Sequence, residues 1–385
     1  MEDVAQVLGG GTPSRTEQSY FGGGIAWATP TDITKLDRLY IRHTKETVSE
    51  EGLRNSSTKL MPAGAVLLTS RATIGFTAVS TVLICTNQGF INFICGPDLV
   101  PEYLAYWLRT QRDKMIQRAG GTTFKEIARG TLRKFEIPVP PLAEQRRIVD
   151  LLSRAEGIVR LRREAEKKAA ELIPALFLDM FGDPATNPKG WPVVSVGQIA
   201  TYTRYGPRFP DRQYSEEGAH ILRTTDMGYS GELRWHDSPM LPMSNAELEK
   251  YALYPGTLLI TRTGATIGKT ALFKGSDRPC IAGAYLIEVG LCSDVAPEYV
   301  LHCFLGQYGQ SCLVSGSRAV AQPNINAPTI CAIPIPLPDL SIQKAFAERV
   351  NGIESIQSQQ ATATAKAQAT FDALLASVFN GHGGK

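Results

Sequence analysis

The sequence predicts an α+β protein made of two copies of one unit, each a strand-rich globular part followed by a long helix. Three observations predict it. One segment recurs half a chain later, shorter echoes keep the same order around it, and each globular part runs into a 4-3-4-3 apolar spacing. At 385 residues the chain is long enough for two or three domains.

The repeat carries the most weight. Residues 64–75 read GAVLLTSRATIG and residues 256–268 read GTLLITRTGATIG. Both give Gly, an apolar strand-like run, Thr, an Arg, then Ala-Thr-Ile-Gly, so Arg71 and Arg262 are expected at the same place after a strand. Pro101-Glu102-Tyr103 returns as Pro297-Glu298-Tyr299, IPVPPL (137–142) as IPIPLP (333–338), and EQRRI (144–148) weakly as IQKAF (342–346).

Within each copy, short apolar runs among Gly, Pro and Thr (AVLLTS, GFINFIC, TLLITR, AYLIEVG) read as strands and turns. PEYLAYWLRTQRDKMIQ and PEYVLHCFLGQYGQSCL read as one helix each, with Pro at the first position. The long helices follow. Ile148, Leu152, Ala155, Val159, Arg162, Glu166, Ala169, Ile173 and Leu176 form one seam. Phe346, Val350, Ile353, Gln357, Gln360, Thr364, Ala367, Phe371, Leu374 and Val378 form the other. Both have apolar ends and polar middles, which makes them natural partners in a rod of roughly 55 Å. Pro174 is expected to kink the first near its end. MFGDPATNPKGWP (180–192) reads as a turn-rich linker. The expected division is a globular part at 1–141, helix at 142–180, globular part at 181–340 and helix at 341–379.

Bulk properties exclude several classes. No apolar run approaches 18 residues and no charged-then-apolar leader is present, so neither a membrane span nor a secretory signal is expected. Seven cysteines without a CxxC pair read as reduced thiols in a cytoplasmic protein. The net charge of +3 has no polybasic tail behind it, so any nucleic-acid binding must come from a placed patch.

GGGTPSR, YFGGGIAWATPTDI, SRATIG, PVPPLAEQRRIVDLL, FGDPATNPKGWP and AQPNINAPTICAIPIPLP together resemble the specificity (S) subunits of type I restriction–modification systems. The resemblance covers nearly the whole chain. It implies two homologous target recognition domains separated by a long antiparallel two-helix coiled coil, in a pseudo-two-fold repeat. Each domain would read one half of a split double-stranded DNA target, and the helices would bind two methyltransferase (modification) subunits. Restriction (motor-nuclease) subunits would complete the assembly. S-adenosylmethionine, ATP and magnesium would then be held by those partners, with no cofactor or metal in this chain. A specificity subunit of a DNA-modification complex without restriction and a non-DNA coiled-coil scaffold with two binding heads are the alternatives.

Three departures stand out. The chain starts almost at the glycine motif, so a lead-in strand looks shortened. TYTRYGPRFP stands where the second copy should have GGxTPS, and its helix opens SIQKAF rather than with an EQ pair.

Direct readout needs side chains on base edges, Arg for guanine and Asn or Gln for adenine, with Lys, Arg, Ser and Thr fixing register on phosphates. A rigid rod suits half-sites about one helical turn, ~34 Å, apart. The candidates in copy one are Thr12, Ser14, Arg15, Trp27, Thr29, Asp32, Ser70, Arg71, Thr73, Thr122, Thr123 and Lys125. In copy two they are Arg204, Tyr205, Arg208, Arg223, Thr225, Asp226, Arg262, Thr266, Lys269, Gln322, Asn324 and Asn326. Trp27 reads more readily as core, Asp32 and Asp226 more readily as caps or turn residues, and Asn324 and Asn326 also as a turn beside Pro323.

Enzyme signals fail one by one. No acidic or Asn residue precedes Pro-Pro-aromatic, as base-flipping methyltransferases require. Glu166-Lys167-Lys168 matches a nuclease pattern by letter but falls in the predicted coil. The five histidines have no metal-ligand spacing. TRTGATIGKT (261–270) resembles a phosphate loop, yet only three residues separate Gly264 from Gly268, where four are required. Its twin has Phe76 in place of Lys269.

Overall fold

The computed structural model describes residues 1–121, 125–315 and 324–380. The chain divides into two compact units, Met1–Glu166 with Gln360–Lys385, and Lys167–Gln359.

The first unit holds strands β1 (Ala5–Gly9), β2 (Phe21–Ala28), β3 (Tyr40–Ile41), β4 (Glu46–Val48), β5 (Val66–Thr69), β6 (Thr77–Ser80), β7 (Ile84–Thr86) and β8 (Phe90–Cys95). They make a five-stranded sheet in the order β1-β8-β5-β6-β3 and a three-stranded sheet in the order β4-β2-β7. Every residue of β5 is buried because the sheet is covered on both faces. Strand alternation explains how: Val66 and Leu68 join one core with Phe93, Tyr103 and Leu104, while Ala65 and Leu67 join another with Met61 and Ile84.

The second unit holds β9 (Val193–Ser195), β10 (Ala200–Tyr205), β11 (Ala219–Leu222), β12 (Met240–Leu241), β13 (Thr257–Thr261), β14 (Thr270–Phe273), β15 (Cys280–Ala282), β16 (Leu286–Leu291) and β17 (Pro334–Pro336). Its main sheet runs β10-β16-β13-β14, beside a β12-β11-β15 sheet and a β9-β17 ribbon. Leu258 and Ile260 face one core and Leu259 the other, as in the first unit.

Each predicted globular helix is in fact two. Pro101–Thr110 gives way at Gln111 to Arg112–Gln117, and Pro297–Leu305 gives way at Gly306 to Gln307–Ser315. Pro stands at the first turn of both opening helices. Strand β1 pairs with β8 from Ala5–Cys95 to Gly9–Ile91. The Met1 amino group donates to Phe135 O at 3.0 Å, where the second unit has Val196 N donating to Ile333 O at 2.9 Å. Among the described residues the first unit has no counterpart of the β9-β17 ribbon.

The long helices span Leu142–Ala170 and Leu340–Asn380. The first is interrupted at Glu171 and resumes as Leu172–Phe181. Pro174 cannot supply the N–H that would bond Ala170 O, so the ladder fails one turn ahead of the proline. In the first unit Ile148, Leu152 and Val159 share a core with Phe371 and Phe379. In the second unit Ile173, Phe177 and Phe181 share one with Phe346 and Val350. There Gln357 Nε2 donates to Ala169 O at 2.7 Å and Arg349 approaches Met180, so the two helix segments run antiparallel.

Candidate nucleic-acid interface

The two copies can be matched bond by bond at the turn after their central strand, and there the structure shifts the expected alignment. Thr69 N donates to Phe76 O and receives Gly75 N on its own carbonyl. Thr261 does the same with Lys269 and Gly268. Ser70 N then bonds Gly89 O and its carbonyl accepts from Ile127 N, while Arg262 N bonds Tyr285 O and its carbonyl accepts from Ile325 N. Arg262 therefore stands where Ser70 stands, and Arg71 corresponds to Thr263, which bridges Asn324 as Arg71 bridges Glu126. Ala72 (φ 59°) matches Gly264 (φ 86°) as the left-handed residue of the turn. The second turn is one residue longer, inserted after that point. Arg71 and Arg262 are not at the same place.

The glycine motif is resolved the same way. Gly10 N bonds Phe90 O and Gly206 N bonds Leu286 O. A Cβ on Gly10 would lie 1.8 Å from Asn87 O, and one on Gly206 2.0 Å from Gly283 O. TYTRYGPRFP thus keeps the one glycine that the close crossing needs. Its neighbours differ: Gly9 opposes Ile91 in the ladder, and Tyr205 opposes Ile287.

In the first unit most candidates are engaged internally. Thr12 Oγ1 donates to Gln88 Oε1, and Ser14 and Thr16 exchange a hydroxyl bond at 2.8 Å. Arg15 pairs with Glu46 at 2.8 Å and lies over the Phe21 and Trp27 rings. Trp27 is a core residue, 1% exposed, its indole N–H donating to Gly11 O at 3.1 Å. Thr29 and Asp32 form the capping box of the helix Pro30–Thr34, and Asp32 also accepts from Lys45 N. Ser70 is buried at 1% exposure. Arg71 Nε donates to Glu126 at 2.9 Å. Thr73 and Lys125 have exposed side chains and use their carbonyls within the turn. Thr122 and Thr123 lie outside the described residues.

In the second unit Arg204 serves the interior. It donates to Glu288 Oε2 at 2.9 Å and to the carbonyls of Lys250, Tyr251 and Ala252. Burial holds the Glu288 carboxyl above its ordinary range, with Arg204 pulling the other way. Asp226 is a buried turn residue that accepts from Arg223 N, the Arg223 guanidinium and Ser238 Oγ. Burial pushes that carboxyl up, but these bonds outweigh it and hold it below its ordinary value. Thr225 is exposed and leans on Asp226 at 3.4 Å. Asn326 caps the helix Ala327–Cys331, accepting from Thr329 N at 2.8 Å. Thr266 is half-buried, and its carbonyl accepts from Lys269 N. Gln322 lies outside the described residues.

Three candidates, Arg262, Tyr205 and Asn324, gather in one cluster. The Arg262 guanidinium lies 4.7 Å over the Tyr205 ring, and its Nε is 3.5 Å from Asn324 Oδ1. Close along the same turn, Lys269 Nζ donates to Met227 O at 2.9 Å and sits 4.3 Å over the Tyr229 ring. Strand β14 follows Lys269 directly, so the helix a phosphate loop needs is absent there. Arg208 is exposed without a side-chain partner among the described residues. Sequence reasoning missed Tyr229 and Tyr285, exposed at 71% and 57%. Neither sits in a motif, and only the fold shows them beside Lys269 and Arg262.

The two units share a duplicated α+β frame that carries different side chains at matching positions. The family model "Type I restriction modification DNA specificity domain" matches residues 1–171 and 188–365, and the chain belongs to that family. It is 34% identical over 240 residues to the type I restriction enzyme MjaIX specificity subunit of Methanocaldococcus jannaschii, covering 57% of this chain and 55% of that relative. The chain thus spans little more than half the length of that relative. Against the EcoKI specificity subunit of Escherichia coli K12 identity is 24% over 363 residues, covering 86% and 77%. The fold matches the type I S subunit from M. genitalium with a TM-score of 0.56 at 14% identity, over 98% of this chain and 94% of that one. A chain from a structure on complex assembly and conformational transition of the type I R-M system gives 0.64 at 19%, over 98% and 95%.

Proposed function

We propose that this chain is the DNA-reading subunit of a type I restriction–modification complex, and that it carries no catalysis of its own. Each unit reads one half of a bipartite double-stranded target. The observation that carries this reading is the exchange of side chains on a retained frame: Ser70 against Arg262 and Gly9 against Tyr205, with the backbone bonds around them unchanged. A protein that reads two different short sequences with one fold keeps the frame and varies what stands on it.

The long helices dock two methyltransferase subunits. Leu151, Ile158 and Leu161 support this, as exposed apolar residues along one face of the helix Leu142–Ala170. Restriction motor-nuclease subunits join the assembly. S-adenosylmethionine, ATP and magnesium belong to those partners, and the complex works in the cytoplasm. No helix among the described residues is long and apolar enough to cross a membrane.

The test is the methylation pattern of DNA from cells expressing the chain with its methyltransferase. A bipartite methylated motif that disappears without this chain is the expected result. Methylation that does not depend on the chain would overturn the proposal. Exchanging residues 1–141 for those of a relative should alter one half of the motif only.

A further inference from the structure

A base-reading arginine must be held in place while keeping its terminal nitrogens unpaired. Most candidate arginines fail the second condition. Arg15, Arg71, Arg204 and Arg223 each direct a terminal nitrogen to a carboxylate of the same unit. Arg208 fails the first, since no described residue fixes its side chain. Arg262 meets both. Its backbone N–H and carbonyl are bonded to Tyr285 and Ile325 at 2.9 Å each. Its guanidinium rests on Tyr205, whose own hydroxyl is fixed by accepting from Ala327 N at 3.0 Å. Only Nε has a described contact, the long one to Asn324, and the two terminal nitrogens have no described partner.

We infer that Arg262, braced on Tyr205, is the specificity-determining residue by which the second unit reads a guanine; this rests on the DNA-recognition reading above. The planar fork matches the O6 and N7 acceptors of guanine in the major groove. A phosphate contact would need charge but no such bracing. From the equivalent position the first unit cannot make the same contact. Buried Ser70 occupies the equivalent position, and Gly9 replaces the bracing ring, with the Arg129 guanidinium 3.2 Å from where a Cβ on Gly9 would lie.

The experiment uses the full chain in complex with its methyltransferase subunits. The probe is a set of duplexes carrying the methylated motif found with the unaltered chain and every single-base change in it. Arg262→Ala and Arg262→Gln should lower discrimination at one G·C pair of one half-site by roughly ten- to a hundredfold, leaving the other half unchanged. Tyr205→Leu should weaken the same position, whereas Tyr205→Phe, which keeps the ring, should lose less. Unchanged discrimination, relaxation at a base other than guanine, or uniform weakening across all duplexes would each overturn the inference. If Arg262→Ala does not fold, Arg262→Lys and Tyr205→Leu decide it by the same readout. Failure of the unaltered chain to give any motif would instead count against the DNA-recognition reading itself.

Discussion

Gln343 reaches back from the start of the second long helix to accept the backbone N–H of Ala296 at 3.0 Å, while its Nε2 donates to Pro338 O at 2.7 Å. Gln145 repeats the arrangement in the first unit, accepting from Val100 N and donating to Pro140 O, both at 2.8 Å. Both glutamines are buried, and each ties its long helix to the residue ahead of a Pro-Glu-Tyr helix. SIQKAF therefore keeps the functional letter of EQRRI although the Glu is lost. Gln343→Ala should cost roughly 2–4 kcal/mol, because a buried donor and acceptor are left unpaired together. Hydrogen exchange at the Ala296 amide should speed up while that at Val100 stays unchanged, and Gln145→Ala should do the reverse.

The glycine crossing gives a second test. Gly10→Ala and Gly206→Ala place a methyl within 2.0 Å of a backbone carbonyl oxygen, so the crossing strands must separate. Losses of more than about 3 kcal/mol are expected, a value reserved for named steric faults. Gly22→Ala is the control: its φ is +82° but no atom lies within 4 Å of the added Cβ, so only backbone strain of about 1–2 kcal/mol applies. Chemical denaturation of the three variants checks the order.

The duplication, the strands after Gly64 and Gly256, and the prolines opening two helices were legible because they repeat in letters. The true equivalence of Arg262 with Ser70 was not, because an inserted residue beyond the left-handed position lets Ala-Thr-Ile-Gly align while shifting the arginine. Gly206 and Gln343 were hidden for another reason. Each preserves one backbone bond with different neighbours, which letter matching scores as divergence. The candidates that proved internal, such as Asp226, Arg204 and Trp27, carry the right chemistry for DNA, but only burial shows that it is already used.

Each unit is completed by a helix segment from the far end of the other copy's helix, and this predicts local effects of single truncations. Phe379 packs against Tyr103 at 5.1 Å between ring centres, and Phe181 against Tyr299 at 4.7 Å. Phe379→Ala should destabilise the first unit by roughly 3–5 kcal/mol. Amides of Pro101–Thr110 should then lose protection while those of Pro297–Leu305 keep theirs. Phe181→Ala should reverse the pattern. Equal loss in both helices for either variant would refute this division.

Arg204 and Glu288 yield a prediction in pH. Glu288 is wholly buried, one of its oxygens has no hydrogen-bond partner among the described residues, and Arg204 is its charged neighbour. Its folded pKa is raised by burial above the ordinary 4.5 even with that partner present. The folded state therefore binds the proton more tightly than the unfolded state does. Stability linked to this group is fully present below about 4.5 and is lost as pH climbs through the folded value. Arg204→Ala removes the compensating charge, which moves the folded value higher and enlarges the loss. At pH 7 the variant should be roughly 3–5 kcal/mol less stable than the unaltered chain. That deficit should shrink toward pH 4, where the carboxyl is neutral in both. Adding Glu288→Gln to Arg204→Ala should recover most of the loss and flatten the pH dependence, since no buried charge remains. Urea denaturation of the three proteins between pH 4 and 8 tests this. A deficit that stays constant across the range would mean that Arg204 acts through its carbonyl bonds to Lys250, Tyr251 and Ala252 rather than through the carboxylate.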